Sequence, residues 1–206
     1  GDKKLSEQAL QSANAAYKSW RDVPTEERAK CLEKFADLME ANRNELIALC
    51  SVEAGKGLQD GIDEVREAVD FCRYYANQAR ELMGKPIQLP GPTGEDNELF
   101  VEGRGTFICI SPWNFPLAIF VGQVAAALVT GNSVIAKPAE QTGLIAYRAV
   151  QLALEAGIPG NVLHFMPGSG AEVGSYLTSQ EDIGGVCFTG STYTAQAINR
   201  ALAART

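Results

Sequence analysis

The sequence has little of what several common kinds of site require. It has one histidine, His164, and its five cysteines form no Cys-x-x-Cys pair. These counts argue against a multi-histidine metal site, a zinc site and a disulfide framework, and they favour a reducing, cytoplasmic compartment. The longest apolar stretch, from Leu117 to Val129, is too short to span a bilayer. The first residues contain no apolar signal-peptide core.

Positive charge is also scarce. Eighteen Lys and Arg oppose 25 Asp and Glu, which gives a net charge of −7. An acidic chain without a basic cluster is a poor candidate for binding nucleic acid or an anionic membrane face. The charges are unevenly spread, because residues 1–100 hold 32 of them and residues 101–206 hold 11. The first half therefore predicts solvated helices, and the second predicts elements buried on most faces.

Apolar residues spaced by three and four from Ile62 to Met83 predict one face of a helix. Further helices are predicted from about Ser6 to Trp20 and from about Glu26 to Cys50, with Thr25 as the N-cap of the latter. Residues 85–105 are rich in Gly and Pro and predict a connecting arm with a short strand near Leu99–Val101. The predicted organisation is a helical segment (1–84), this arm (85–105) and a βαβ segment (106–206).

From Thr106 onward, short apolar strands alternate with helices four times. This pattern predicts an α/β fold with a parallel sheet covered on both faces. Ligands of such sheets bind at the carboxyl ends of the strands, so the loops that follow the strands are the place to look for a site. The predicted strands are 106–111, 133–137, 162–166 and 185–189, and the predicted helices lie near 117–130, 143–156, 171–177 and 192–204.

The first two loops carry polar side chains that could act in catalysis or bind a ligand. Prolines on both sides of Trp113 and Asn114 stiffen the loop 111–116. A neutral amide such as that of Asn114 could stabilise a developing oxyanion, although a turn Asn bonded to the backbone is the plainer alternative. In the next loop, Lys137 and Glu140 could hold the ribose hydroxyls of a nucleotide. The alternative there is a solvated strand end.

The last two loops are rich in glycine and hydroxyl groups. Gly168, Gly170 and Gly174 form a GxGxxxG pattern, one residue longer than the usual dinucleotide fingerprint. A glycine pattern alone is weak evidence, and close packing of a helix on a strand is the alternative explanation. Gly190 and Ser191 stand where the N-terminus of a helix would meet a phosphate, or where Ser191 would simply cap that helix.

Taken together, the motifs PWNFP, KPAEQT, PGxGxxxG and FTGST resemble the aldehyde dehydrogenase superfamily, in family order and each after the expected strand. The stretches REAVDFCRYYANQAR and GPTGEDNELF are further similar to pyrroline-5-carboxylate (glutamate semialdehyde) dehydrogenases. Those enzymes occur alone or as the second catalytic domain of bifunctional proline utilisation A. The resemblance implies N-terminal helices followed by a Rossmann-like, doubly wound parallel sheet. It also implies NAD as the cofactor and oxidation of glutamate semialdehyde to glutamate.

The resemblance also assigns roles to individual residues. Asn114 matches the oxyanion-hole Asn, and Glu67 and Phe115 match residues of the substrate pocket. A solvated helical Glu and a core aromatic are the respective alternatives. Ala195 departs from the glycine that the family often has there. The positions that match cofactor contacts are Ser111, Pro112, Trp113, Lys137, Ala139, Glu140, Gly170, Gly174, Thr189, Gly190 and Ser191.

The family's nucleophilic Cys, in Gly-Gln-x-Cys, and its hydrolytic Glu, in Glu-x-Gly-Gly, lie downstream of FTGST and do not occur in this chain. None of the five cysteines replaces the nucleophile, because Cys109 and Cys187 are predicted inside apolar strands, where burial makes a thiol inert, and the others on helices. We therefore interpret the chain as the N-terminal part of the enzyme, with four of five strands of the sheet and no activity alone.

One further expectation follows from this interpretation, and two questions stay open. The fourth strand would be left as an apolar edge that favours self-association. Whether a proline dehydrogenase domain is linked to this one in the parent enzyme stays open. Two other functions also stay open: a non-catalytic nucleotide-binding module, and a different superfamily member such as an acylating aldehyde dehydrogenase.

Overall fold

A computed structural model describes residues 1–205. The helices are α1 (Lys3–Arg21), α2 (Thr25–Ala41), α3 (Arg43–Ala54), α4 (Leu58–Met83), α5 (Ala118–Val129), α6 (Gly143–Glu155), α7 (Ser175–Ser179) and α8 (Thr192–Ala203). The strands are β1 (Ile87–Leu89), β2 (Asn97–Leu99), β3 (Thr106–Ile110), β4 (Ser133–Lys137), β5 (Leu163–Phe165) and β6 (Gly185–Phe188). A π-helical turn, Gly170–Gly174, leads directly into α7.

Strands β3 to β6 form a parallel sheet in the order β5-β4-β3-β6. This arrangement confirms the predicted α/β class, with helices followed by a four-stranded parallel sheet. Cys109 of β3 lies opposite Ala136 of β4 on one side and Cys187 of β6 on the other. The chain moves outward from β3 to β5 and then returns to place β6 beside β3. The order therefore reverses between β3 and β6, and such a switch point opens a crevice at the carboxyl ends of the strands.

Both faces of the sheet are covered, which explains why its strands are apolar at successive positions. In β3, Cys109 faces the core under α5 and α6, while Ile108 and Ile110 face the core under α1, α7 and α8. Helices α2 to α4 pack on the outer side of α5 and α6, so the helical segment and the sheet share one apolar core. Within residues 1–205, no helix has the length and hydropathy that crossing a membrane requires.

The predicted single helix from Glu26 to Cys50 is wrong. The structure has α2 and α3 there, separated at Asn42. The Asn42 amide donates to the Leu38 carbonyl at 2.8 Å, so it competes with the helix backbone and ends α2. Thr25 is not an N-cap either. It is the first residue of α2, Pro24 takes the cap position, and the Thr25 hydroxyl donates instead to the Met83 carbonyl.

The other boundary differences are smaller. The connecting arm contains an antiparallel ribbon, because β2 pairs with β1, and its second strand ends at Leu99 rather than continuing to Val101. The helix predicted near 171–177 is the π-helical turn followed by α7. A strand at the tip of an arm and a π-helical turn both depend on tertiary packing, which short sequence patterns do not encode.

Two carboxylates from the helical segment cap helices of the sheet. Neither α5 nor α6 has a side-chain cap of its own. Instead, the buried Glu64 of α4 accepts hydrogen bonds from the Leu117 and Ala118 amides at the start of α5. Glu53 of α3 accepts from the amides of Leu144 and Ile145 at the start of α6, each at 2.8 Å. A carboxylate at the positive end of a helix dipole is favourable, so these contacts join the two segments.

The C-terminal end of α5 is held by the same segment. The Arg28 guanidinium donates to the Val129 carbonyl, and the Trp20 indole donates to the Leu128 carbonyl, both at 2.9 Å. Arg28 is buried, and this desolvation lowers its pKa. A guanidinium at the negative end of a helix complements the carboxylate at the positive end. Helix α5 is therefore fixed at both ends by side chains from α1, α2 and α4.

Replacing Glu53 by Ala should destabilise the chain by about 1–2 kcal/mol, because two hydrogen bonds at the start of α6 are lost together. Urea unfolding of the 206-residue chain measures this change. Glu7→Ala is the matched control, since Glu7 is exposed on α1. Equal unfolding midpoints for the two variants would contradict the capping role of Glu53.

The purified 206-residue chain should self-associate. Among the described residues β6 pairs with β3 alone, so its other edge presents unpaired backbone groups beside half-buried apolar side chains. Sedimentation velocity over a range of concentrations is the measurement. A single monomeric species at every concentration would be inconsistent with an adhesive β6 edge.

Candidate functional site

The carboxyl ends of β3, β4 and β6 bring three of the predicted loops to one edge of the sheet. The Ser111 amide donates to the Lys137 carbonyl at 3.2 Å, and the Thr189 amide donates to the Ile110 carbonyl at 3.1 Å. Because these bonds continue the parallel ladders past the last strand residues, each loop starts from a fixed position. The loop after β5 joins them through Gly170.

The loop 111–117 presents its polar and aromatic tip to solvent. Ser111 and Pro116 are buried, Pro112 is half-buried, and Trp113, Asn114 and Phe115 are exposed. Within residues 1–205 the Asn114 side chain makes no hydrogen bond, so it is not the backbone-bonded turn Asn that was the alternative. The loop therefore offers an amide that is available to a ligand.

Two residues that sequence reasoning missed hold this loop. Glu64 Oε2 accepts from the Leu117 amide at 3.2 Å and from the Ala118 amide at 2.8 Å. Lys56 Nζ lies 2.9 Å from Glu64 Oε1 and 4.0 Å from the centre of the Phe115 ring. Phe115 is therefore not a core aromatic. Its ring makes a cation–π contact with the Lys56 ammonium. Glu64 lies one helical turn before the buried Ala68, which places it on the packed face of α4, but only the fold shows what it bonds.

The two nucleotide candidates after β4 lie close to the glycine turn. Glu140 is exposed, and its Oε1 accepts from the Gly170 amide at 2.9 Å. Lys137 is buried, and its ammonium donates to the Pro138 carbonyl at 3.2 Å. Burial lowers the pKa of Lys137, while the nearby Glu140 carboxylate acts in the opposite direction. Ala139 is half-buried between them.

A cavity of about 460 Å³ opens beside Lys137. Gly170, Gly174 and Ser175 line one side, and α8 lines the other, where Tyr193 is 80% exposed. Sequence reasoning missed Tyr193, since a lone aromatic on an amphipathic helix carries no signal of a site.

The glycine pattern has a packing role at one of its three positions. At Gly168, where φ is +147°, a side chain would clash with Val173. At Gly174 a Cβ would meet the Lys137 side chain at 3.7 Å, an ordinary contact. A Cβ at Gly170 would meet open space. Close packing therefore accounts for Gly168, whereas Gly170 and Gly174 border the cavity.

The loop after β6 is exposed at Thr189, Gly190 and Ser191. Ser191 is the N-cap of α8, and its Oγ accepts from the Thr194 amide at 3.2 Å. The helix-cap alternative for Ser191 is thus present, and the first residues of α8, Thr192 and Tyr193, are exposed. The Thr189 hydroxyl accepts from the Gln123 side chain at 3.1 Å, which links this loop to α5.

Glu67 lies apart from these contacts. It is exposed on α4 and borders a shallow depression with Asp63, Arg66 and Asp70. Within residues 1–205 its carboxylate makes no hydrogen bond or ion pair. The carboxylate that reaches the Asn114 loop is Glu64, one turn earlier on the same helix.

The cysteines differ from the expectation in one respect. Burial raises the pKa of Cys31 and Cys72 and brings that of Cys50 to about 12. Cys187 is the exception, because a hydrogen bond from the Cys109 thiol lowers the pKa of Cys187 below its usual value. The same interaction raises the pKa of Cys109.

Cys187 packs against the core cluster under α5, not against the loop tips. Within residues 1–205, no group of three or more His, Cys, Asp or Glu is placed to hold a metal ion.

A larger hollow, of about 540 Å³, lies between α3 and α4 among Arg43, Ile62 and Arg66. No loop from the carboxyl edge of the sheet lines it. The smaller cavity beside Lys137 is therefore the better candidate, because it lies where parallel sheets bind their ligands.

Comparison with known proteins identifies related chains along the whole sequence. The model of the aldehyde dehydrogenase family matches residues 1–206. The bifunctional protein PutA of Salmonella typhimurium is 48% identical over 97% of this chain and 14% of its own length. The 1-pyrroline-5-carboxylate dehydrogenase of Anoxybacillus flavithermus is 44% identical over 92% of this chain and 37% of its own length. This chain thus spans a minor part of the curated relatives it matches.

Solved structures agree with these relatives. A mutant of Bradyrhizobium japonicum proline utilization A (PutA) is 53% identical and superposes with a TM-score of 0.97, covering 100% of this chain and 21% of its own. A 1-pyrroline-5-carboxylate dehydrogenase from Thermus, crystallised with bound NAD, is 40% identical with a TM-score of 0.93. It covers 98% of this chain and 39% of its own.

Proposed function

The chain belongs to the aldehyde dehydrogenase family, and on that premise we propose that it forms the N-terminal helices and the NAD-binding sheet of a glutamate semialdehyde dehydrogenase. The reaction is the NAD-dependent oxidation of glutamate semialdehyde, the open form of pyrroline-5-carboxylate, to glutamate in proline catabolism. The observation that carries the proposal is the unbonded Asn114 amide at the edge of the sheet where Lys137 and Gly170 line a cavity and Glu140 bonds to the Gly170 amide. The relatives named for proline utilisation support the substrate class.

The residues beside this cavity fit NAD. The Lys137 ammonium has three N–H donors and uses one on the Pro138 carbonyl. Glu140 uses one carboxylate oxygen on Gly170 and keeps the other for a ribose hydroxyl. Gly170 leaves open space for an approaching ligand, and the exposed N-terminus of α8 suits a pyrophosphate. When bound, NAD supplies the hydride acceptor.

On the other side of the switch point, Asn114 acts on the substrate. Its side-chain N–H donates to the aldehyde oxygen as negative charge develops there, and an amide does this without titrating. The flanking loop residues Ser111, Pro112 and Trp113 form the wall between the nucleotide and the aldehyde. Thr189, Gly190 and Ser191 complete the nucleotide side of the crevice.

The substrate's ammonium group is assigned to Glu67, and Phe115 forms the aromatic wall of the pocket. Glu67 is free of internal partners among the described residues, which suits a carboxylate that receives a cation from a ligand.

Catalysis needs a thiolate beside Asn114, and no cysteine of this chain is in that position. Cys187 has a low pKa but packs under α5. The chain alone should therefore bind NAD without oxidising aldehydes, and the parent enzyme supplies the nucleophile. A linked proline dehydrogenase domain in the parent fits the relatives named as bifunctional.

The reaction itself is tested by assaying the full-length parent enzyme with NAD and glutamate semialdehyde, following NADH. Turnover with glutamate semialdehyde should exceed turnover with propanal. Preference for acyl transfer to a thiol, or turnover of simple aldehydes alone, would instead favour another branch of the family.

Replacing Asn114 by Ala in the full-length enzyme should lower kcat by about 10²–10³-fold, because one oxyanion donor is lost. The affinity for NAD should not change. Steady-state kinetics with separate NAD titration measures both. A variant whose kcat lies within a few-fold of the wild-type value would contradict the oxyanion role of Asn114.

The full-length enzyme should prefer NAD to NADP, because the Glu140 carboxylate repels a 2′-phosphate. Glu140→Gln should narrow that preference, whereas Glu155→Gln, at the exposed end of α6, should leave it unchanged. Values of kcat/KM for the two cofactors are the measurement. Equal use of both by the wild-type enzyme would count against Glu140 as the ribose ligand.

Replacing Glu67 by Gln should lower kcat/KM for glutamate semialdehyde by about tenfold or more, since a charged hydrogen bond to the ammonium group is lost. The value for propanal, which has no ammonium group, should change little. Glu81→Gln, an exposed site on the same helix, is the control. Equal losses of kcat/KM with both aldehydes would instead indicate a structural role for Glu67.

A further inference from the structure

We infer that Glu64, supported by Lys56, is a positioning residue that fixes the Asn114 loop for catalysis. The inference rests on the proposed oxyanion role of Asn114 and adds a residue that no sequence motif indicated. Glu64 does not reach the reacting atoms. It acts through the backbone amides at the end of the loop.

The loop is fixed at two points, and Glu64 supplies the second. At the start, the Ser111 amide bonds to the Lys137 carbonyl of the sheet. At the end, Glu64 Oε2 accepts from both the Leu117 and Ala118 amides, which have no partner inside α5. Asn114 itself has no hydrogen bond among the described residues, so its position depends on these two ends.

Lys56 neutralises the charge of the Glu64 carboxylate at the end of the loop and also contacts the loop itself. The Glu64 side chain is 1% exposed, and a buried carboxylate is costly unless it is paired. Lys56, 14% exposed, forms the ion pair at 2.9 Å and places its ammonium over the Phe115 ring. The ion pair of Lys56 and Glu64 therefore contacts both Phe115, the residue after Asn114, and the start of α5.

The turn between α3 and α4 explains how Lys56 reaches this place. Helix α3 ends at Gly55, whose φ of +65° is left-handed and suits glycine. This turn directs Lys56 inward between α4 and the loop. The N-terminal helices, which contribute no described residue to the lining of the nucleotide cavity, thereby determine the geometry at the aldehyde.

The test is Glu64→Gln in the full-length enzyme. Glutamine keeps one acceptor but loses the charge that Lys56 and the α5 dipole require. We expect kcat for glutamate semialdehyde to fall by about 10- to 100-fold, the cost of a displacement of roughly 1 Å in a reacting group. KM for NAD should not change, because the cavity beside Lys137 is separate. Glu81→Gln should behave as wild type.

A double variant identifies the route of the effect. If Glu64 acts through Asn114, adding Glu64→Gln to Asn114→Ala should cause no further loss in kcat. Fully additive losses would overturn the inference, because they would show that Glu64 acts independently of the loop.

Two further measurements keep the inference testable. Amide hydrogen exchange of residues 112–118 should rise in Glu64→Gln and stay unchanged in Glu81→Gln. If Glu64→Gln does not fold, Lys56→Gln at the partly exposed partner should raise the same exchange and lower kcat to a smaller extent. Unchanged exchange and unchanged kcat in the variant that folds would overturn the inference. If Asn114→Ala leaves kcat unchanged, the proposed oxyanion role fails instead, and the exchange data alone then decide whether Glu64 anchors the loop.

Discussion

The buried Glu64 carboxylate at the start of α5 is the contact on which the geometry of the candidate site depends. It joins a helix of the N-terminal segment to the loop that carries Asn114, and Lys56 balances its charge. The other end of α5 is held by Trp20 and Arg28, so the helix cannot slide along the sheet without breaking contacts at both ends. The N-terminal helices are therefore part of the site's framework rather than an appendage to it.

The nucleotide side of the crevice is organised in the same way. Glu53 caps α6, whose preceding loop starts after Lys137 of β4 and contains Glu140, and Glu140 in turn bonds to the glycine turn after β5. Each loop is thus defined by a contact from a neighbouring element, not by its own residues. This arrangement leaves the loops' own polar groups, such as the Asn114 amide and the second oxygen of Glu140, available to ligands.

Much of this arrangement could be predicted from the sequence. Short apolar strands such as Ser133–Lys137 have a simple pattern, so the parallel sheet and the edge that carries the loops were both predictable. The break at Asn42 was not, because a single Asn is compatible with a helix interior until its side chain bonds back to the backbone. Glu64 and Lys56 were missed for another reason: the loop residues that they contact are more than fifty residues away, and no local pattern reports such a contact. The low pKa of Cys187 likewise required the register that sets it opposite Cys109.

The most direct test is a crystal structure of the full-length enzyme with NAD and an unreactive analogue of glutamate semialdehyde. The proposed function predicts an Asn114 side-chain nitrogen about 2.7–3.1 Å from the analogue's carbonyl oxygen. It also predicts that Glu64 still bonds to the Leu117 and Ala118 amides in that complex. An Asn114 amide turned away from the carbonyl, with the analogue bound and the loop ordered, would contradict the account.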